Sequence, residues 1–287
     1  MISEYRQHLK EKKRVVIKVG SSTITHAGTG AVNIGKIERL ARKINDLKGE
    51  GKEVVLVSSG AIAAGRQVLS IRGKAKNLAE KQAFAAVGQA KLIMVYQKIF
   101  AEYGMTAAQV LLTRYTIQNE ESRINARNTF DELLKLGVVP IVNENDTVST
   151  YEIRFGDNDR LSALVSSLIG ADLLILLSDV DGLYSDDPNR NPEAKFISRV
   201  DAVTPNLMVM AKDSTGSDVG TGGMATKLKA AQIACKSGAD MIIAAGEDLT
   251  ILDRIFSGEE EGTLFEASRV ADFDFAAYMS DRENGDA

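Results

Sequence analysis

Short, unbroken apolar runs recur along the chain, separated by longer stretches in which apolar residues return every three or four positions. Five runs, at 14–19 (RVVIKV), 53–57 (EVVLV), 138–142 (VVPIV), 172–177 (DLLILL) and 240–245 (DMIIAA), are continuous rather than alternating. That pattern suits parallel strands covered on both faces. Residues 107–112 offer a sixth. Pro140 weakens the third, because it cannot donate a ladder hydrogen bond. Between the runs, Ile34, Ile37, Leu40, Ala41, Ile44 and Leu47 form one helical stripe, with Asn33 as its expected N-cap and Gly49 as its stop. Leu161, Leu164, Val165 and Leu168 form another, ended by Gly170, and Met224, Leu228, Ala231 and Cys235 a third, ended by Gly238. Residues 78–103 and 121–136 read as helical too. Residues 189–220, rich in Asn, Asp, Ser and Gly, read as a mobile connection or small excursion. Strands alternating with helices predict an α/β fold with right-handed crossovers.

The strand ends are as regular as the strands. The first runs into Gly20-Ser21-Ser22, the second into Ser58-Ser59-Gly60-Ala61, the third into Asn143-Glu144-Asn145-Asp146 and the fourth into Ser178-Asp179-Val180-Asp181-Gly182. Ligands of open parallel sheets sit outside the carboxyl ends of the strands. Any one of these loops is explained equally well by ordinary turn and cap chemistry. The set points to one shared site, because Lys18 places a charge inside an apolar strand. Burying it unpaired is costly, so it is expected to face an anion.

The segment Gly220-Thr221-Gly222-Gly223-Met224-Ala225-Thr226-Lys227 leads glycines straight into a helix whose first turn carries a lysine. Free N–H groups at a helix start favour an anion, and glycines let backbone approach it closely. A flexible loop before an ordinary helix accounts for the same pattern, and the segment is not a P-loop. Asp157-Asn158-Asp159 precedes the helix over 161–168. It is either a capping cluster or a substrate amide flanked by carboxylates that orient lysines or metal. Asp179 and Asp181 are turn residues or border a nucleotide, and the spacing lacks the ligands of a calcium loop.

Composition narrows the classes. The 287 residues carry a net charge of -4, spread without a basic block, which argues against nucleic acid or an anionic membrane. The single cysteine, Cys235, lies on an apolar stripe and leaves no intrachain disulfide, so a cytoplasmic location is expected. No apolar run is long enough to span a bilayer. With two histidines, His8 and His26, a His-rich metal site is excluded. Two lysines, glycine-rich turns and few histidines suit phosphoryl transfer, which rests on positioning and charge neutralisation. A carboxylate acceptor, with a pKa of roughly 4.3, is ionised at neutral pH and needs no general base.

Six motifs in order, VVIKVGSS at 15–22, VSSGAIAAGR at 57–66, VNENDTV at 142–148, FGDNDRLSA at 155–163, LLSDVDGLY at 176–184 and GTGGMATK at 220–227, resemble the glutamate 5-kinase pattern within the amino acid kinase family. The resemblance covers residues 13–265 and implies a three-layer αβα sandwich around a mainly parallel open sheet. It implies a kinase domain over 1–265, with a glutamate lobe at about 1–170, a nucleotide lobe at about 171–265, and a tail at 266–287 too short for the PUA domain many relatives carry. The implied activity is ATP-dependent phosphorylation of the L-glutamate side chain, the first step of proline biosynthesis, with Mg²⁺. Lys18 and Lys227 would stabilise the transferring group, and Asp159 would orient them. Gly20 and Gly60 would offer N–H groups. Ser59, Asp146 and Asn158 would bind glutamate, beside Gly60 and Asn143, and Asp146 suits its ammonium. Ser178, Asp179 and 221–227 (Thr221, Gly222, Gly223, Met224, Ala225, Thr226, Lys227) would line the nucleotide. Feedback by proline, homo-oligomers and transient contact with glutamyl phosphate reductase belong to the same expectation.

Overall fold

The computed structural model describes residues 3–26, 29–73, 75–149, 157–188, 190–213, 223–274 and 278. A 3₁₀ helix, Glu4–Glu11, precedes β1 (Arg14–Val19), α1 (Ser21–Ile24), α2 (Ile34–Gly49), β2 (Glu53–Ser58), α3 (Ala61–Val68), α4 (Leu78–Ala101), β3 (Ala107–Leu112), α5 (Arg114–Gln118), α6 (Glu120–Lys135) and β4 (Val139–Glu144). Then come α7 (Asn158–Ile169), β5 (Leu173–Ser178), β6 (Leu183–Tyr184), β7 (Phe196–Ile197), β8 (Arg199–Val200), α8 (Pro205–Asp213), α9 (Met224–Ser237), β9 (Asp240–Ala245), α10 (Ile251–Ser257) and β10 (Thr263–Phe265).

One sheet of order β3-β4-β2-β1-β5-β9-β10-β8 carries the fold, and β6 pairs with β7 beside it. Every neighbour in the large sheet is parallel except β10 against β9. All six apolar runs became strands of this sheet; five are buried between helices on both sides, and β3, at the edge, is only partly buried. The pleat sorts their side chains. Val16, Val55, Val57, Leu174 and Leu176 face a core shared with α7 and α9. Val15, Ile17, Val19, Leu56 and Ile175 face a second core shared with α2, α4 and α10. The alternation places Lys18, two residues after Val16, on the α7/α9 face at the carboxyl end of β1.

Pro140 sits in an interior strand, not at an edge. Val139 N–H donates to Thr106 O on the β3 side. Pro140 pairs with Ala108 of β3, but its missing donor would face β2, and the ladder to β2 begins only at Ile141. Two expectations need correction. Gly49 is the last residue of α2; the chain turns at Gly51, whose φ is +81°, with Glu50 as the cap. Residues 189–220 are not simply irregular: they include β7, β8 and α8, and β8 extends the main sheet beyond β10. Those short strands escaped the pattern because two residues cannot show a period. Beyond 274 the acidic tail lies, residue 278 apart, outside the described residues.

The α3–α4 packing bears on the site. A Cβ built on Gly65 would lie 1.8 Å from Phe84 O, and one on Gly88 would lie 1.7 Å from Ala61 O. Glycine at both positions lets the two helix backbones touch, which fixes the first turns of α3 and α4 relative to the tip of β2.

Candidate active site

Asp159 lies in the first turn of α7, where a carboxylate is favoured by the helix dipole. It is 1% exposed. Lys18 Nζ stands 2.7 Å from its Oδ1, and Lys227 Nζ stands 3.0 Å from its Oδ2. The Lys227 contact is a hydrogen bond. The Lys18 contact is an ion pair by distance, without a well-directed hydrogen bond to Oδ1. Both lysines are buried. Lys227 occupies the first turn of α9, where the dipole disfavours a cation, so the carboxylate of Asp159 offsets a placement that helix stability alone does not select. Burial pushes the Asp159 carboxyl up, but the two ammonium groups outweigh it and hold the group below its ordinary value. Two cations thus share one carboxylate at the carboxyl ends of β1 and β5, an arrangement suited to an incoming anion.

Beside this triad opens a cleft of about 200 Å³. Ser59, Gly60, Asn143, Asp146 and Asn158 all line it. Asn158 Nδ2 donates to Ser59 Oγ at 2.7 Å and to Asn143 Oδ1 at 2.9 Å, tying the tips of β2 and β4 to the start of α7. Gly60, with φ +96°, turns the chain into α3. No side chain caps the α3 N-terminus, and its first residues Ala61, Ile62 and Ala63 border the cleft.

Asp157 caps α7, accepting from the Arg160 N–H at 2.9 Å. Burial first, and the neighbouring Asp159 charge second, raise its pKa above the ordinary carboxylate value. The Asp-Asn-Asp cluster is therefore a cap, a cleft amide and a lysine anchor in successive residues. Of the other polar lining residues, Ser21, Glu144 and Asp157 lie in segments that the sequence pointed to without giving them a substrate role, and Lys81 was missed altogether. Ser21 and Glu144 followed strands already singled out. Lys81, in the first turn of α4, carried no signal, because an exposed helical lysine looks the same.

On the other side of β1, Ser178 is buried and donates to Asp179 Oδ1 at 2.9 Å. The Gly246 N–H donates to Ser178 O at 2.7 Å. A Cβ on Gly20 would lie 3.6 Å from Lys18 Nζ, so the backbone there passes close to the lysine head. Gly223 caps α9, and Thr226 Oγ1 donates back to Gly223 O at 2.8 Å. Met224 and Ala225 pack against the core of the α7/α9 face. Thr221 and Gly222 lie outside the described residues. Asp181 accepts from Tyr184 OH at 2.9 Å, as a turn residue does. Among the described residues no group of three or more His, Cys, Asp or Glu could hold a metal ion, and no helix is long and apolar enough to cross a membrane.

Known proteins resemble this chain to different depths. A model of the amino acid kinase family matches residues 13–245. The glutamate 5-kinase of Clostridium perfringens is 51% identical over 268 residues, covering 92% of this chain and 99% of that protein. Its counterpart in Carboxydothermus hydrogenoformans is 52% identical over 260 residues, covering 91% of this chain and 69% of that protein. Among solved structures, UMP kinase from Bacillus anthracis superposes with a TM-score of 0.61 at 16% identity, over 90% of this chain and 97% of that one. Isopentenyl phosphate kinase of T. acidophilum gives 0.61 at 17%, over 88% and 100%. At those identities the structures share the fold.

Proposed function

The chain belongs to the amino acid kinase family and, within it, to the glutamate 5-kinases, and from that membership we propose that it transfers the γ-phosphoryl group of ATP to the side-chain carboxylate of L-glutamate. The observation that supports a transfer role most directly is the pair of buried ammonium groups on one carboxylate beside a cleft of amino-acid size. The two reactants are both anionic, so their approach is opposed by charge rather than by a missing proton acceptor. Lys18 and Lys227 offset that repulsion, and they do so most where charge spreads over the transferring group. Asp159 keeps both ammonium groups at fixed positions, so little reorganisation is needed when the reactants arrive. The carboxylate acceptor attacks in its ionised form, which is consistent with a site that uses no histidine.

In this reading the glutamate side chain enters past Ser59, Gly60, Asn143 and Asn158, with Asp146 facing its ammonium. The nucleotide phosphates lie over Gly20 and the 221–227 segment, beside Ser178 and Asp179. The glutamate lobe is then the β3-β4-β2-β1 side of the sheet and the nucleotide lobe the remainder. Mg²⁺ enters with ATP: with no protein cage among the described residues, phosphate oxygens and water would supply its ligands. The product is an acyl phosphate, for a reductase in proline synthesis. Cytoplasmic location, homo-oligomeric assembly and inhibition by proline are parts of the same proposal.

A coupled ADP-release assay with L-glutamate, L-aspartate and N-acetyl-L-glutamate tests it. Turnover is expected with L-glutamate; turnover with either of the others and none with L-glutamate refutes the substrate assignment. Lys227→Ala should lower kcat about 100-fold or more with little change in the KM for ATP.

A further inference from the structure

The cleft that holds the proposed acceptor is lined by three acidic side chains, Glu144, Asp146 and Asp157, and among the described residues a single side-chain cation, Lys81, lines it. Lys18 and Lys227 are not among its lining residues; they stand beyond Asn158, on Asp159. Lys81 comes from α4, an element that contributes no other residue to the lining. It is half-buried, and among the described residues no hydrogen bond or ion pair engages its ammonium group. Its helix is clamped to α3 through Gly65 and Gly88, so the lysine stem projects from a rigid base.

An amino-acid substrate brings three charges. The side-chain carboxylate must reach the paired lysines, and the ammonium is served by the acidic side chains. The α-carboxylate then needs a cation inside the cleft. Resting on the function proposed above, we propose that Lys81 is the specificity residue that binds the α-carboxylate of the acceptor amino acid. It acts as a point charge on a flexible stem, selecting substrates with an anionic α-group from those without one. Because that group does not react, the interaction is equal in ground and transition states and is read in KM, not kcat.

The experiment compares the wild type, Lys81→Met and Lys81→Arg on L-glutamate and on its α-amide, which keeps the side-chain carboxylate and lacks the α-charge. A hydrogen bond to a charged group is worth about 10- to 100-fold in binding. Lys81→Met is therefore expected to raise the KM for L-glutamate by about that factor, with kcat and the KM for ATP within about threefold of wild type. Lys81→Arg should recover part of the loss. On the α-amide the wild type should already be weak, and Lys81→Met should weaken it no further. An unchanged KM for L-glutamate, or an equal loss on both substrates, overturns the assignment while leaving the kinase reading intact. A wild type that does not phosphorylate L-glutamate at all overturns the kinase reading and takes this assignment with it.

Discussion

Replacing Asp159 by Asn removes a charge that two buried lysines share within hydrogen-bond distance while keeping the shape of the side chain. At separations of 2.7 and 3.0 Å each ion pair contributes a Coulomb attraction of about 6 kcal/mol at an effective dielectric of 20. Desolvation of three buried ions opposes most of that sum, so the gross figure is not the loss. Breaking a buried pair by removing one partner costs about 3–5 kcal/mol, because the remaining charge stays buried. Here two cations remain, and the upper end applies. At roughly 2 °C per kcal/mol for a chain of this size, the melting temperature should fall by about 10 °C. The pH dependence has a definite sign. The Asp159 pKa is lowered on folding, so its stabilisation is present above the ordinary carboxylate value and is lost as pH falls through the depressed one. The gap in melting temperature between wild type and Asp159→Asn should stay constant from about pH 5 to 8 and close only at strongly acidic pH. Scanning fluorimetry across that range measures it, and ATP should recover part of the loss by supplying anions to the two lysines. Turnover should drop about 100-fold or more as the ammonium groups lose their fixed positions. A variant with wild-type melting temperature and wild-type kcat would refute the electrostatic account.

Other parts of the structure give three more expected outcomes. Gly88→Ala should destabilise by at least about 3 kcal/mol or prevent soluble expression, because the new methyl would meet Ala61 O at 1.7 Å; urea titration decides, and a loss below about 1 kcal/mol contradicts the close helix contact. Ser59→Ala removes an acceptor of Asn158 and should raise the KM for L-glutamate about 5- to 10-fold, read in the same coupled assay; an unchanged KM would place Ser59 outside the acceptor site. Cys235 is buried, and burial pushes its thiol up to about 12, so it should resist thiol reagents at pH 8 until the protein is unfolded; rapid labelling of the native protein would show that the α9 stripe is not packed as described.

The strands and most helices were legible because they answer to local physics. A continuous apolar run buries both faces, Asn33 caps α2 through its bond to the Lys36 N–H, and Gly170 and Gly238 take the left-handed turns that end α7 and α9. Local physics also explains the failures. Gly49 and Gly51 are equally good stops on paper. The strands of 189–220 are too short to show a period: β8 forms where β10 offers an edge, and β7 where β6 does. The chemistry was legible to the extent that Lys18, in an apolar strand, and Lys227, in the wrong turn of a helix, are costly without a partner. That both would share Asp159, from a third element, was a matter of sheet order: β1 lies next to β5, while α7 and α9 pack on the face to which the pleat turns Lys18. Lys81 was illegible for the opposite reason. A lysine on an amphipathic helix costs nothing in solvent, and only the glycine-mediated contact of α3 with α4 turns that position toward the cleft. Periodicity and propensity act between residues a few positions apart, whereas ion pairing and cavity formation act across space, between segments whose separation the chain order does not state.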